Sequence, residues 1–288
     1  MRRNRGFTLI ELLTVMAIIS LLVGLLLPAL AKARAQAQLT KDQSQIKQIH
    51  TAWISFAREY DGAFPTPGLI NRLPDDILGD RPGRGPEDVT ANTTCALFSV
   101  CIMQNYFAPQ LAVTPTEPSA FVLVKDDFNY DLYDPVGDIY WDENFFCKLR
   151  SISHVSYAHT PICGERKVRE WRDSMNSRFA VLSNRGVIDG NDQPGSQDYQ
   201  QSITLKLHGG REQWVGNVLY NDNHIEVENS FWPEGLTYFD PLDAAVASLP
   251  DNIFQNQTGG DNSGLGFDIW LTIVSGITMT CDLSPEWD

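Results

Sequence analysis

Residues 6–30 read GFTLIELLTVMAIISLLVGLLLPAL, and this stretch decides the fold of the N-terminal part of the chain. It follows the short basic segment 1–5, and the only charged side chain within it is that of Glu11. A helix of about 20 apolar residues crosses the hydrocarbon core of a bilayer, so residues 7–30 are predicted to span a membrane. Because a carboxylate inside such a segment is costly to insert, Glu11 is expected to have a function there.

The same residues also allow two simpler interpretations, a secretory signal peptide and an uncleaved membrane anchor. A signal peptide combines a basic start with an apolar core and is then cleaved, but here the apolar run continues into residues 28–34 with the composition of a helix. Both interpretations leave the carboxylate of Glu11 unexplained, because signal cores and plain anchors are apolar. The pattern therefore favours a more specific N-terminal signal.

The octet Gly6-Phe-Thr-Leu-Ile-Glu-Leu-Leu13 resembles the class III signal of type IV pilins and type II secretion pseudopilins. The resemblance implies that prepilin peptidase cuts between Gly6 and Phe7, and that Phe7 becomes the N-methylated terminus of the mature protein. It also implies that Glu11 is the characteristic acid of the family. Inside a filament its carboxylate would pair with the Phe7 ammonium of a neighbouring subunit, so that two costly charges offset one another.

Pro28 marks the expected weak point of this helix. The resemblance places it where many relatives also have a proline, and it cannot donate a backbone hydrogen bond to the carbonyl of Gly24. Gly24 is itself a poor helix former. We expect the helix to bend or melt between these two residues when subunits pack into a filament, and a tolerated transmembrane kink is a compatible explanation.

The positive charges predict the orientation of the membrane segment. Arg2, Arg3 and Arg5 precede it, so the N-terminus is expected in the cytoplasm. Lys32 and Arg34 follow it and weaken this asymmetry only slightly. The chain is therefore expected to be a single-pass protein of the inner membrane with a periplasmic head, and a surface filament is a further location that the resemblance allows.

The helical pattern continues beyond the membrane segment. Residues 31–60 contain no Gly or Pro, and apolar side chains recur at helical spacing on one face. These side chains are Leu39, Ile46, Ile49, Trp53, Phe56 and Tyr60. Asp61-Gly62 and Pro65 are expected to end the helix. The passage Tyr60-Asp-Gly-Ala-Phe-Pro65 is similar to the helix exit of pilin-like proteins from planctomycete and verrucomicrobial bacteria.

The chain is predicted to consist of a leader peptide (1–6), a transmembrane helix (7–30), its amphipathic continuation (31–60) and a globular head (61–288). The predicted fold class is α+β, with the long helix packed on a mainly antiparallel sheet that carries long loops. Candidate elements of the head are a helix at 94–107, strands at 121–124, 178–183, 202–207, 216–220 and 224–228, and one or two closing strands within 266–280. Asp222-Asn223 predicts a type I′ hairpin turn.

Two histidines and an aspartate near the C-terminus suggest a metal site. His208-Gly-Gly and the stretch ending in Asp222-Asn-His224 resemble the C-terminal signature of the same bacterial pilin-like proteins. The spacing here is longer, and Asn223 replaces the glycine of that signature. One hypothesis is a metal held by His208, Asp222 and His224, since imidazole and carboxylate are suitable ligands. The alternative is that hairpin chemistry explains the Asp-Asn pair and that the histidines are surface residues.

Two acidic clusters suggest calcium, because hard oxygen ligands suit this ion. One cluster consists of Asp126, Asp127, Asp131, Asp134, Asp138 and Asp142, and the other of Asp251, Asn252, Asn256, Asp261 and Asn262. The resemblance adds that some major pseudopilins hold calcium in a C-terminal loop. Neither cluster has the spacing of an EF-hand, and solvated loops often have this composition. No cofactor other than calcium is predicted.

The composition excludes several classes of function. The net charge of −14 becomes more negative when the basic leader is removed, so the head is expected to repel nucleic acid. There is no phosphate-binding loop, no CxxC pair and no convincing nucleophile–base set, so the sequence predicts no enzyme. Five cysteines in an oxidising periplasm allow one or two disulfides and leave at least one thiol, with the pairing undefined.

Two functions stay open. The resemblance implies a structural subunit, either a pseudopilin or a minor pilin, which assembles through its N-terminal helix into a type II secretion or type IV pilus-like filament. Its partners would be prepilin peptidase, other pilin-like subunits and an inner-membrane assembly platform. The large head favours a minor or specialised subunit. The alternative is a membrane-tethered periplasmic module that binds glycan or metal and uses the pilin signal only for processing.

Overall fold

The computed structural model of the chain describes residues 8–74, 85–210, 212–239, 248–258 and 268–288. The chain divides into two compact units, Met1–Lys41 and Asp42–Asp288. The described part of the first unit is almost entirely helix, whereas the second contains the end of that helix and the strands of the described residues. The α+β fold class is confirmed.

Five α-helices are present in the described residues. They are α1 (Leu9–Glu59), α2 (Pro67–Ile70), α3 (Thr94–Met103), α4 (Gly164–Glu170) and α5 (Gln197–Gln201). Short 3-10 helices lie at Val89–Ala91, Pro109–Ala112, Tyr130–Leu132, Ile188–Gly190 and Ile203–Lys206. The helix predicted at 94–107 is therefore confirmed as α3, which is shorter than expected. The hydroxyl of Thr93 caps it by accepting a hydrogen bond from the main-chain N–H of Ala96 at 3.3 Å.

The strands of the described residues form one four-stranded sheet and three two-stranded ladders. Their bounds are β1 (Cys147–Lys148), β2 (Ile152–Ser153), β3 (Tyr157–His159), β4 (Ala180–Asn184), β5 (Gly216–Tyr220), β6 (Ile225–Glu228), β7 (Thr237–Tyr238), β8 (Leu249–Pro250), β9 (Ile273–Ile277) and β10 (Leu283–Glu286). The four-stranded sheet has the order β3-β4-β5-β6 and is antiparallel throughout. The strands predicted at 178–183, 216–220 and 224–228 are confirmed as β4, β5 and β6.

Helix α1 ends in the way that the residues after it predict. The side chain of Tyr60 stacks on Phe56, and Asp61 and Gly62 both adopt left-handed conformations, with φ of 51° and 82°. The N–H of Gly62 donates to the carbonyl of Ala57 at 2.8 Å, which closes the last turn. Glycine tolerates positive φ without cost and aspartate tolerates it better than most residues, so this pair stops the helix.

The C-terminal third of α1 is part of the core of the second unit. Ile46, Ile49 and Trp53 are completely buried, as the apolar stripe of the sequence predicts. The indole of Trp53 packs against that of Trp171, with ring centroids 5.0 Å apart, and against Phe64 at 6.1 Å. These aromatic contacts join the helix to the segment that follows it and to the end of α4.

Two disulfides are present, and Cys101 is a buried free thiol. Cys95 of α3 pairs with Cys147 of β1, and Cys163, which precedes α4, pairs with Cys281 between β9 and β10. The sequence allowed one or two bridges without defining the pairs. Burial raises the pKa of the Cys101 thiol far above its ordinary value.

The strand predicted at 202–207 is wrong. Residues Ile203–Lys206 form a 3-10 helix instead. The hydroxyls of Ser202 and Thr204 each donate a hydrogen bond of 2.6 Å to the carboxylate of Asp288. These side-chain bonds hold a compact turn in a segment whose β-branched residues alone favour a strand.

The strand predicted at 121–124 is wrong as well, and the closing strands are confirmed in part. Segment 121–124 makes only an isolated parallel bridge between Val122 and Ser153 among the described residues. At the C-terminus, β9 lies within the predicted range of 266–280. Its partner β10 lies beyond that range and was not predicted.

The type I′ turn predicted at Asp222-Asn223 is also wrong. Asn223 has a φ of 69°, but Asp222 has no positive φ. The N–H of Asn223 donates to the carbonyl of Tyr220 at 2.9 Å, and the N–H of Tyr220 donates to the carbonyl of His224 at 3.0 Å. This pattern is that of a three-residue hairpin loop whose last residue is left-handed.

Candidate functional site

The N-terminus of α1 is closed by a reciprocal pair of side chains. The carboxylate of Glu11 accepts hydrogen bonds from the main-chain N–H of Thr8 at 2.9 Å and from its hydroxyl at 2.8 Å. The hydroxyl of Thr8 in turn accepts a bond from the N–H of Glu11 at 3.2 Å. This arrangement is a capping box, which satisfies N–H groups that have no partner within the helix. Glu11 therefore has a local function in the isolated chain.

The apolar part of α1 is exposed on every side. None of its most apolar window of 18 residues is buried, and that window has a mean hydropathy of 2.6. Leucines as far apart as Leu9 and Leu30 are 79% and 65% exposed. A helix that is apolar all round and exposed requires an apolar environment, which a bilayer or neighbouring helices provide.

The N-terminal segment also contains the predicted processing site and the predicted weak point of the helix. Gly6 and Phe7, the predicted processing site, lie outside the described residues. Pro28 lies inside α1, which continues through it. A Cβ atom added to Gly24 would meet no neighbouring atom within 4 Å, so a larger side chain would fit at this position. The weak point predicted between Gly24 and Pro28 therefore rests on the backbone properties of the two residues.

A second carboxylate of the same helix, Asp42, is completely buried. Five side chains donate hydrogen bonds to it. Its Oδ1 accepts from Thr114 at 2.6 Å and from Tyr157 at 2.7 Å. Its Oδ2 accepts from Asn217 at 2.6 Å, from Asn184 at 2.9 Å and from His208 at 3.2 Å. Donors from β3, β4, β5 and two connecting segments thus converge on one helical residue. We refer to these six residues as the Asp42 cluster.

The cluster keeps its carboxylate ionised in spite of burial. Burial raises the pKa of Asp42, but the hydrogen bonds from His208, Thr114 and Tyr157 outweigh burial and hold the pKa below its ordinary value. Burial, together with the charge of Asp42, raises the pKa of Tyr157 well above its ordinary value, so its hydroxyl stays a donor. The arrangement has the properties of a structural anchor between helix and sheet, because every oxygen lone pair faces a fixed donor.

The structure separates the three residues of the metal hypothesis. His208 contacts Asp42 in the buried cluster, whereas His224 hydrogen-bonds Asp222 within the hairpin loop and stacks on Tyr220, with centroids 4.3 Å apart. Within the described ranges, no group of three or more His, Cys, Asp or Glu side chains is placed to hold a metal ion. His208, Asp222 and His224 are therefore explained by pairwise contacts.

Described residues of the acidic clusters also have partners within the protein. Asp142 is buried and accepts hydrogen bonds from the main-chain N–H groups of Asn144 and Asn129, and Asp127 pairs with Lys125 at 2.7 Å. Asp261 and Asn262 lie outside the described residues. The calcium hypothesis remains an expectation from composition.

The Asp42 cluster is the feature that sequence reasoning missed. A signal was present, since Asp42 falls in the gap of the apolar stripe between Leu39 and Ile46, at the helical position that faces the core. A carboxylate at such a position predicts buried donors around it. The donors themselves come from segments 72 to 175 residues away in the chain, and no local pattern identifies them.

The comparisons with known proteins concern the N-terminal segment. Residues 1–27 match the family model of the prokaryotic N-terminal methylation motif. The type IV major pilin protein PilA of Myxococcus xanthus (strain DK1622) is 42% identical to this chain over 59 residues, which are 20% of this chain and 27% of the pilin. The match thus covers about a quarter of the length of that curated relative. No solved structure gives a significant match.

These matches agree with the geometry of α1. The methylation motif ends within the exposed apolar part of the helix, and one helix of the described residues is long and apolar enough to cross a membrane. The combination indicates a single-pass membrane protein. The N-terminal segment of the chain is therefore similar to that of a type IV pilin and carries the prokaryotic N-terminal methylation motif.

Proposed function

We propose that this protein is a filament subunit, either a pseudopilin of a type II secretion system or a subunit of a type IV pilus-like fibre. Prepilin peptidase removes residues 1–6, Phe7 is methylated, and the mature protein assembles through α1. Its partners are the peptidase, other pilin-like subunits and an inner-membrane assembly platform. The PilA match supports the proposal because that protein is a major pilin.

The observation that carries the proposal is the position of Glu11 on α1. It is a carboxylate near the end of an exposed apolar helix, and among the described residues only Thr8 donates hydrogen bonds to it. Cleavage after Gly6 would create a new ammonium group four residues before it. In a filament core both charges would be buried, and a buried ammonium needs a carboxylate partner to avoid an uncompensated charge. Glu11 of a neighbouring subunit supplies that partner.

The same arrangement supports the proposed location. The mature helix is held in the inner membrane before assembly, with its N-terminus on the cytoplasmic side and the unit Asp42–Asp288 in the periplasm. The two disulfides of that unit are consistent with an oxidising compartment. After assembly the head would lie on the outer surface of a periplasmic or extracellular filament.

Intact-mass analysis and shearing of cells test this proposal directly. In a host that has prepilin peptidase, the protein should lack Met1–Gly6 and carry one added methyl group. Gly6→Val should keep the leader, while Asn4→Ala, a matched change in the leader, should be processed as the wild type is. Wild-type protein in the sheared surface fraction would identify a pilus, and protein confined to the envelope in crosslinked oligomers would identify a pseudopilus. Retention of the leader by the wild type would contradict the proposal.

A further inference from the structure

A cavity of about 480 Å³ lies on the head, and none of the residues that line it belongs to the Asp42 cluster. Its volume falls within the range of about 300–1,000 Å³ that small-molecule sites occupy. The residues that line it come from the segment around α5 and from the segments that flank β5 and β6. They are Asp192, Pro194, Tyr199, Glu212, Gln213, Trp214, Asn229, Ser230 and Phe231.

The lining combines an aromatic floor with a polar mouth. Tyr199, Trp214 and Phe231 are buried, and the rings of Trp214 and Phe231 are in contact at 5.4 Å between centroids. Glu212 and Asn229 are exposed at the mouth. The described residues that line the cavity include two carboxylates, Asp192 and Glu212, and their negative charge disfavours an anionic ligand.

An exposed indole is fixed beside this cavity. The Nε1–H of Trp232 donates to the carboxylate of Asp192 at 2.8 Å, and its main-chain N–H donates to the hydroxyl of Ser230 at 3.1 Å. Two cavity residues therefore hold Trp232, yet 37% of its surface is exposed. A large aromatic ring that is both exposed and held in place can pack against the C–H face of a ligand with little further loss of side-chain freedom.

The polar groups at the mouth are available for a ligand. The side chains of Glu212 and Asn229 make no hydrogen bond to any other residue that the structure describes. Gln213 uses its amide nitrogen on the carbonyl of Asn229 at 3.0 Å, which leaves its amide oxygen as an acceptor. Carboxylate and amide groups together accept from and donate to hydroxyl groups, and the exposed ring of Trp232 beside them offers a face for an apolar surface of the same ligand.

We propose that this cavity binds a neutral saccharide. Hydroxyl groups of the sugar would bond to Glu212, Gln213 and Asn229, and its apolar face would lie against Trp232. The inference goes beyond the filament function and does not depend on it, because a saccharide site on the head works equally in a filament subunit and in a tethered protein.

Saturation-transfer NMR on the full chain, purified in a detergent without a sugar headgroup, tests the proposal. The probes are neutral di- to tetrasaccharides of hexoses and N-acetylhexosamines, a uronate oligosaccharide, and a lysine-rich peptide. At least one neutral saccharide should show transfer and a dissociation constant of about 1 mM or tighter in a tryptophan-fluorescence titration, a strength that corresponds to about −4 kcal/mol or better. The uronate should bind at least tenfold more weakly, because carboxylates line the cavity without a described cation.

Variants separate a site in this cavity from binding elsewhere. Glu212→Ala and Trp232→Ala should each weaken binding about tenfold, the effect of one lost hydrogen bond or ring contact of roughly 1.4 kcal/mol. Glu143→Ala and Tyr133→Ala, which change an exposed carboxylate and an exposed ring elsewhere, should leave binding unchanged. Glu212 has no described partner, so its variant should unfold at the wild-type temperature.

Three results would overturn the proposal. One is the absence of transfer to every neutral saccharide at about 10 mM, which is ten times the weakest constant expected. Another is equal affinity in the Glu212→Ala variant and the wild type. The third is binding of the lysine-rich peptide alone, which would make the cavity a site for cations. None of these results bears on processing at Gly6 or on assembly.

Discussion

Two carboxylates on one helix have opposite surroundings. Glu11 is exposed and, in the part of the chain that the structure describes, bonded only to Thr8, whereas Asp42 is completely buried among five donors. A buried and fully satisfied carboxylate stabilises one arrangement of its donors. An exposed carboxylate on an apolar helix remains available to a partner. Asp42 therefore belongs to the architecture of the head, and the exposed carboxylate of Glu11 is the one that we propose acts in assembly.

Replacement of Asp42 should destabilise the head strongly. Asp42→Ala removes the acceptor of five buried donors, and a buried network broken at one member typically loses about 3–5 kcal/mol. Asp42→Asn should cost less because it keeps one oxygen acceptor. Lys41→Ala, a change of the exposed neighbouring residue, is the matched control and should have little effect. Urea unfolding followed by tryptophan fluorescence measures the difference, and equal midpoints for Asp42→Ala and Lys41→Ala would disprove the anchor.

His159 should make the stability of the head depend on pH. Burial lowers the pKa of His159 to about 4, and its Nε2 lies 2.8 Å from the hydroxyl of Thr94. In the unfolded chain the pKa returns to about 6.5, so only the unfolded state takes up this proton between pH 6.5 and 4. The stabilisation of the folded head by neutral His159 is complete above pH 6.5 and is lost as the pH falls towards 4.

The measurement compares the wild type with His159→Gln. The free energy of unfolding of the wild type should fall more steeply with acidification in this window, by about 1.4 kcal/mol per pH unit. Burial also lowers the pKa of His50 to about 4, so His50 changes the stability in the same direction as His159, whereas burial raises the pKa of Asp251 to about 7 and gives the opposite direction. Both groups are present in both proteins, so they do not affect the comparison. Equal slopes in the two proteins would show that His159 is not buried in its neutral form.

At the residue scale, the sequence identified the residues that belong to a continuous motif. The Gly6-to-Leu13 octet pointed to Glu11, and the structure adds the capping bonds to Thr8. The partners of Asp42 and of His208 could not be predicted, because they depend on which distant segments the fold brings together. The residue type of His208 suggested a metal ligand or a surface histidine, whereas its contact in the structure is the buried carboxylate of Asp42.

At the scale of elements, the sequence predicted those that a strong local pattern defines. Helix α1 and strands β4 to β6 follow from periodicity and from β-forming residues. The segment 202–207 has the same β-forming composition, but its hydroxyls bond to the C-terminal residue Asp288 and hold a 3-10 turn. Such a contact involves residues more than 80 positions apart, so the strand propensity of the segment cannot predict it.

The disulfides define an element-scale prediction. The bridges tie α3 to β1 and the start of α4 to the β9–β10 connection, and each closes a loop of more than 50 residues. A loop of this length typically contributes about 2–4 kcal/mol by restricting the unfolded chain. The mature protein, denatured without reductant, should therefore alkylate at one thiol, Cys101, and at all five cysteines after reduction. Three or five reactive thiols without reductant would contradict the pairing.

At the scale of the whole molecule, the two units differ in the environment that they need in order to be stable. Unit Asp42–Asp288 contains all seven tryptophans and the described core, whereas the described part of unit Met1–Lys41 is an exposed helix. The head should therefore fold without the membrane segment. Protein that begins at Ala35 should be soluble and melt in one cooperative transition by tryptophan fluorescence. Aggregation without a transition would show that the head depends on the N-terminal helix.

We propose that the negative charge of Glu11, and not its capping bond, drives assembly. Glu11→Gln keeps a capping box but removes the charge, and Thr8→Val keeps the charge but removes the capping hydroxyl. Both variants should be cleaved after Gly6 and recovered in the membrane. An ammonium buried without its partner costs about 3–5 kcal/mol, which shifts an assembly equilibrium more than a hundredfold.

The decisive measurement is the yield of filaments, or of crosslinked subunits, relative to the membrane level in the native host. We expect Thr8→Val to assemble nearly as the wild type does and Glu11→Gln to lose almost all assembled protein. Assembly of Glu11→Gln at the wild-type level would show that the charge of Glu11 is not needed, and it would leave the pilin-like signal with a role in processing alone.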